Sequence, residues 1–171
     1  VTHRLDRPTS GVVLFARTSK ALTRLNEMFK SHEHIQKTYW AIVQNAPKQP
    51  QARLENWLVR NEKQNKSYIA KPGTKDAKLA VLTYSVIATS DNYTLLEIQL
   101  ETGRHHQIRC QLAALGCPIK GDLKYGAKRS NPDGGISLHA HQIAFIHPVS
   151  KQEICITAPV PNDKLWRAIT H

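Results

Sequence analysis

Near the start of the chain, residues 3–11 ("HRLDRPTSG") set one carboxylate, Asp6, between two guanidinium groups, Arg4 and Arg7. An oriented, ionised carboxylate among cations is suited to act as a nucleophile. The same residues have a plainer use, because Pro, Thr, Ser and Gly after an Asp are what a tight turn employs. A second stretch, residues 102–116 ("TGRHHQIRCQLAALG"), bears on the choice. Taken as a helix from residue 103, it places Ile108, Leu112 and Leu115 on one buried stripe with Arg109 at its edge. A partly desolvated arginine requires an anionic partner. Asp6 is the expected one, and pairing would keep its carboxylate ionised, as a nucleophile and not a general acid. A purely structural Arg–Asp bridge is the competing reading of the same two residues.

The elements that must position these groups follow from pattern. Residues 11–17 ("GVVLFAR") form an apolar, β-branched run expected to be a buried strand. Residues 19–34 are expected to be a helix, with Leu22, Leu25 and Phe29 on one face. Residues 37–44 ("KTYWAIVQ") return to strand character, and 45–51 form a loop with two prolines. The basic, turn-rich stretch 62–78 reads as a mobile loop or a hairpin arm whose lysines meet phosphates. Residues 80–89 and 93–101 flank "SDN" as a hairpin, 136–148 and 151–159 as a further strand pair, and 163–169 as a closing helix. The fold class expected is α+β, a mixed, largely antiparallel sheet with helices packed against it.

Composition narrows the partner. The 171 residues carry a formal charge of +11, concentrated at one end: residues 1–80 hold 15 Lys/Arg against 6 Asp/Glu, and residues 81–171 hold 9 against 7. A polyanion such as a nucleic acid is the simplest partner for that bias. Three cysteines, Cys110, Cys117 and Cys155, without a CxxC pair argue against a zinc ribbon or a disulfide framework and fit a reducing, cytoplasmic setting. No apolar run reaches the length of a membrane span.

Several separated motifs, "HRLDRPTSG", "KTYWAIV", "TGRHHQIR", "CPIKGD" and "LHA", together resemble the RluA-type pseudouridine synthases in order and spacing, over essentially the whole chain. The resemblance implies a pseudouridine synthase fold and isomerisation of chosen uridines in rRNA or tRNA, without metal or cofactor. It assigns the nucleophile to Asp6, the active-site tyrosine to Tyr39 and the aspartate's basic partner to Arg109. Arg4 would help flip the target nucleotide, and Arg7, Arg104 and Lys66 are expected RNA contacts. It leaves open which RNA is modified and whether Asp6 attacks the sugar or the uracil ring. His105, Cys110 and Gln111 depart from the usual family pattern around Arg109. The chain is expected to be one catalytic domain over 1–171, without its N-terminal strands or a separate RNA-binding module, acting as a monomer. Two rivals stand beside this reading. One is a metal-dependent nuclease using His105–His106 or the pair His139/His141, which lacks a third ligand at convincing spacing. The other is a non-catalytic RNA-binding module on the same fold.

Overall fold

The computed structural model describes residues 2–171. Eight strands form one sheet: β1 (Ser10–Gly11), β2 (Ile35–Gln44), β3 (Gln51–Asn61), β4 (Lys66–Ala70), β5 (Lys78–Thr89), β6 (Tyr93–Leu100), β7 (Leu138–Ile146) and β8 (Glu153–Thr157). Their order is β1-β7-β2-β6-β5-β3-β4, with β8 also paired to β7. Every pairing is antiparallel except β1 with β7, so the sheet is mixed and largely antiparallel, as expected. Among the described residues three α-helices accompany it, α1 (Ser19–Ser31), α2 (Gln107–Ala114) and α3 (Lys164–Ile169), with one 3-10 turn at Leu123–Tyr125. Among the described residues no helix is long and apolar enough to cross a membrane.

The main core lies between the sheet and α2. Ala41 and Val43 of β2, Leu82 and Tyr84 of β5, and Leu96 and Ile98 of β6 meet Ile108, Leu112 and Ile119 there. Alternation on these central strands sends one set of side chains toward α2 and the other toward α3, where Ile42 and Leu95 pack on Trp166 and Ile169. Asp163 caps α3, accepting from the backbone N–H of Leu165 and Trp166.

Three sequence expectations change. Residues 11–17 are not a strand beyond Gly11. Val12, Leu14 and Ala16 do pack on Leu25, Ile143 and Phe145, while Phe15 is 70% exposed. The backbone bonds that would build a strand are taken by side chains: the Leu14 N–H donates to His3 Nε2 (2.9 Å) and the Thr2 hydroxyl to the Leu14 carbonyl (2.7 Å). Strand β3 was not expected. Its period-2 pattern is short, with Arg53 and Glu55 exposed, and is broken by the inward Asn56, yet Leu54 packs on the core and Leu58 is buried. It pairs with β4, so the basic stretch 62–78 contains the turn and outer strand of a hairpin arm. Finally, α2 begins at Gln107 and not at residue 103. Ile108 and Leu112 are buried, but Leu115 falls beyond the helix end and is 37% exposed.

Candidate active site

The Asp6 segment is held against β7. A turn closes where the Thr9 N–H donates to the Asp6 carbonyl (2.9 Å), and the Ile136 N–H donates to the Pro8 carbonyl (3.0 Å). Beyond it, Gly11 pairs with Ala140 at φ +127°, where a Cβ would stand 2.3 Å from the Ala140 carbonyl oxygen. No other residue type fits so close an approach. His3 braces the segment from the other side, its ring stacked on Phe29 of α1 at 4.4 Å. Burial, aided by the Lys37 charge, pulls the His3 pKa down to about 4, so the ring is neutral and free to accept from Leu14.

Opposite stands α2, entered through an unusual backbone. His106 occupies the left-handed region (φ 51°) at the helix N-cap without a side-chain capping bond. Such a conformation persists only when the surroundings fix it. Here Gln107 does so: its side-chain carbonyl accepts from the Arg104 N–H (2.9 Å) and the Thr102 hydroxyl (2.8 Å), and its amide donates to the Val81 carbonyl (3.0 Å).

Arg109, 6% exposed, projects from α2. Its two-pronged partner is Asp122, with Nε to Oδ2 and Nη2 to Oδ1 both 2.8 Å. The guanidinium lies 5.0 Å from the centre of the Tyr125 ring. Burial disfavours its charge, but the hydrogen bonds and charge of Asp122, with Asp6 behind, raise it above its ordinary value. This corrects the expectation that Asp6 is the principal partner. The Asp6 Oδ2 lies 3.7 Å from Arg109 Nη1, a looser approach, and its side chain is 34% exposed against 1% for Asp122. Sequence reasoning took "CPIKGD" as a turn and a family motif without giving Asp122 a role. The available signal was an acid following a turn, within reach of a buried arginine that required one.

His106 completes this wall. Arg109 Nη1 can only donate, so His106 Nε2 (3.3 Å) accepts, and Nδ1–H donates to the Tyr125 hydroxyl oxygen (2.8 Å), which also accepts from the Ser67 N–H (2.9 Å). Burial, with the neighbouring Arg109 and His105, lowers the His106 pKa to about 3. The 3.8 Å approach of His106 to Asp6 is therefore a contact of a neutral ring and no ion pair.

Between the two walls runs a cleft of about 380 Å³ lined by Asp6, Tyr39, Arg109, Arg4 and Arg104, with Leu100, Ile108 and Leu138 supplying its apolar surface. It adjoins a second hollow lined by Arg4, Asp6, Arg7, Arg60 and Lys124. The structure thus brings Asp6, Tyr39, Arg109, Arg4, Arg7 and Arg104 together. It does not bring Lys66 to either lining: its ammonium sits between the rings of Tyr68 (5.0 Å) and Tyr125 (5.3 Å). Arg60 and Lys124, which line the second hollow, and Lys37, which lines the first, are basic residues that sequence reasoning missed. Tyr39 faces the cleft from β2, where the pairing with β7 shifts register between Thr38 and Tyr39. Bulges of this kind re-aim side chains beside active sites. Burial, and after it the Asp6 charge, pushes the Tyr39 phenol up to about 12, so it stays protonated. The Thr9 hydroxyl, also on the cleft wall, is buried and without a partner among the described residues.

The remaining histidines have other partners. His105 Nδ1 lies 2.8 Å from the Ser67 hydroxyl and Nε2 lies 3.0 Å from Asn65 Oδ1, which ties the β3–β4 arm to the head of α2. His139 contacts Ser10 and the Ala158 carbonyl, and His141 stacks on Trp40. Among the described residues no group of three or more His, Cys, Asp or Glu side chains is arranged to hold a metal ion.

The chain is similar to known proteins. The family model described as RNA pseudouridylate synthase matches residues 1–114. An uncharacterized RNA pseudouridine synthase of Synechocystis sp. is 36% identical over 164 residues, covering 94% of this chain and 50% of that protein. The tRNA pseudouridine synthase C of Vibrio cholerae is 32% identical over 185 residues, covering 98% of this chain and 74% of that one. Human RNA Pseudouridylate Synthase Domain Containing 4 superimposes with a TM-score of 0.79 at 26% identity, over 94% of this chain and 71% of the human chain. The chain spans only about half the length of some relatives, 50% of the Synechocystis protein and 52% of YlyB of Bacillus subtilis. A matching family model across two thirds of the chain, relatives along nearly all of it and a shared fold agree: the chain belongs to the RNA pseudouridylate synthase family.

Proposed function

We propose that this chain is the catalytic domain of an RNA pseudouridine synthase that converts a uridine of structured rRNA or tRNA to pseudouridine, with Asp6 as nucleophile. The observation that carries the reading is a single carboxylate at the mouth of a cationic cleft, 3.7 Å from an arginine already anchored to a second, buried carboxylate. Binding RNA phosphates has no use for Asp6 in that position, which would repel them. A covalent step does.

A paired uridine must leave its stack to reach Asp6, and the cleft's cations offset the cost of extrusion. Arg4, exposed at the rim of both hollows, is placed to hold the vacated strand. In the reaction an Asp6 oxygen bonds to the nucleoside, the N1–C1′ bond breaks, the uracil turns, and a C5–C1′ bond forms as Asp6 is released. C5 loses a proton and N1 gains one, so atoms balance without a co-reactant. Tyr39 presents a ring on which uracil can stack. Its protonated hydroxyl is a donor in the resting site and releases a proton only to a strong base. Arg109, held by Asp122, supplies fixed positive charge toward Asp6 and the charge that develops on the uracil.

The test is to map pseudouridines in RNA from a deletion strain, its parent, and the deletion carrying either wild type or Asp6→Asn. The expected result is a defined position lost on deletion, restored by wild type and not by Asp6→Asn. Restoration by Asp6→Asn, or a deletion that loses no position, overturns the proposal.

A further inference from the structure

One cation of the cleft has no role in the chemistry above. Lys37 stands two residues before Tyr39 on β2, across the register shift, and both side chains line the cleft. It is half-buried, and its ammonium lies 5.6 Å from the centre of the Phe29 ring. The ion pairs of the described residues engage Arg53 and Arg109, and none provides Lys37 with a carboxylate. Burial alone lowers its pKa. A desolvated ammonium without a counter-charge costs a fold stability.

Asp6 lines the same cleft, but no carboxylate of the described residues comes within ion-pair distance of Lys37. His3 and His32 flank it with pKa values depressed first by burial and then by the Lys37 charge, and Arg104 acts on His32 in the same direction. All four residues line one cleft. Gly103 adds a second, independent observation. Its backbone is not in the left-handed region, so conformation does not demand glycine there. A Cβ would stand 3.3 Å from Lys37 Nζ and 3.5 Å from His32 Cε1. The missing side chain leaves the ammonium open to whatever enters the cleft.

We propose that Lys37, framed by His32, Arg104 and the bare backbone of Gly103, is a phosphate subsite that takes one phosphodiester of the RNA strand beside the extruded nucleotide. It rests on the reading of the cleft as a uridine pocket. A base carbonyl would leave the two cations of this part of the cleft uncompensated. A phosphodiester neutralises them and accepts several charge-assisted hydrogen bonds.

The probe is a nine-nucleotide oligocytidylate with one central uridine, which fixes the register. Its affinity for wild type, Lys37→Met and Gly103→Ala is measured across a salt series, with melting temperatures on the same preparations. Removing one charge-assisted contact should weaken Lys37→Met about ten- to hundredfold. The slope of log affinity against log salt should fall by about 0.7 for a single strand. The melting temperature should hold or rise, because a half-buried cation without a carboxylate partner has been replaced by an apolar chain of similar length. Gly103→Ala should weaken binding in the same direction. Replacing single phosphates by neutral methylphosphonates should abolish the difference between wild type and Lys37→Met at one position. Binding and slope equal to wild type, a fall in melting temperature with unchanged affinity, or equal effects at every methylphosphonate position would each overturn the subsite. None of these readouts needs turnover, so they fail independently of the pseudouridine assignment.

Discussion

The two carboxylates that approach Arg109 are held in opposite ways. Asp122 is 1% exposed and locked to the guanidinium by two 2.8 Å bonds, while Asp6 is 34% exposed and stands 3.7 Å away on a turn. The first geometry belongs to an anchor, because a buried, doubly bonded pair fixes both partners. The second belongs to a reactant, which must leave its ground-state contacts to form a bond. On the proposed function, separating the roles lets the cation stay rigid while Asp6 moves. A single Arg109–Asp6 bridge could not do both.

The largest expected effect is on the loose side. Asp6→Asn preserves shape and removes the proposed nucleophile, so pseudouridine formation should vanish while melting temperature and RNA affinity survive. Residual turnover in single-turnover assays would return Asp6 to a turn residue.

On the anchored side, Arg109→Lys keeps the charge but cannot reproduce the two-pronged bond. A displacement of about 1 Å should cost roughly a hundredfold in single-turnover rate, with RNA binding retained. Arg109→Leu should instead unfold readily, losing about 3–5 kcal/mol, because Asp122 is left buried and unpaired. Denaturant titration of both variants separates the outcomes. A stable Arg109→Leu would mean that Asp122 is no anchor.

Each side also depends on one neutral histidine, His3 behind the Asp6 segment and His106 against Arg109, with pKa values lowered from 6.5 to about 4 and about 3. Below pH 6.5 the unfolded chain takes up protons that the folded chain refuses until about pH 4 and about pH 3. Stability is therefore complete above 6.5 and lost as pH falls through that window. Chemical denaturation at stepped pH should reveal the decline, and His3→Gln should make it shallower. A flat profile would show that neither ring must stay neutral.

The difference between the two sides also explains what could be read in the sequence. Asp6, Tyr39 and Arg109 were legible because each sits in a motif, and the charge bias and strand alternation were legible because they are sums and periods. Asp122 was not, because the choice between two carboxylates for one guanidinium is made by the loop after α2, and loop geometry has no period. Residues 12–16 failed as a strand for a related reason. Their apolar pattern is genuine and packs as expected, but the side chains of His3 and Thr2 take backbone bonds at Leu14. Strand β3 failed in the other direction: its alternation is short and breaks at Asn56, whose side chain turns inward to accept from the Gln111 amide.

The smallest expected effect separates two cations of the β3–β4 arm. Lys66 was an expected RNA contact on composition alone, yet its ammonium is spent on the faces of Tyr68 and Tyr125. Arg60, on β3 in register with Ser67, lines both hollows of the cleft. Removing the Lys66 charge should cost about 0.5–1 kcal/mol of stability, the worth of an exposed cation–π contact, through the Tyr125 ring that Arg109 also meets. Because Lys66 lines neither hollow, Lys66→Gln should leave the salt dependence of RNA binding unchanged. Arg60→Gln should do the reverse, leaving the melting temperature near wild type and lowering the salt slope by about 0.7–0.9. If Lys66→Gln lowers the slope as much as Arg60→Gln, the ammonium leaves its two rings when RNA arrives. The arm would then belong with Asp6, among the parts that move, and not with the Arg109–Asp122 anchor.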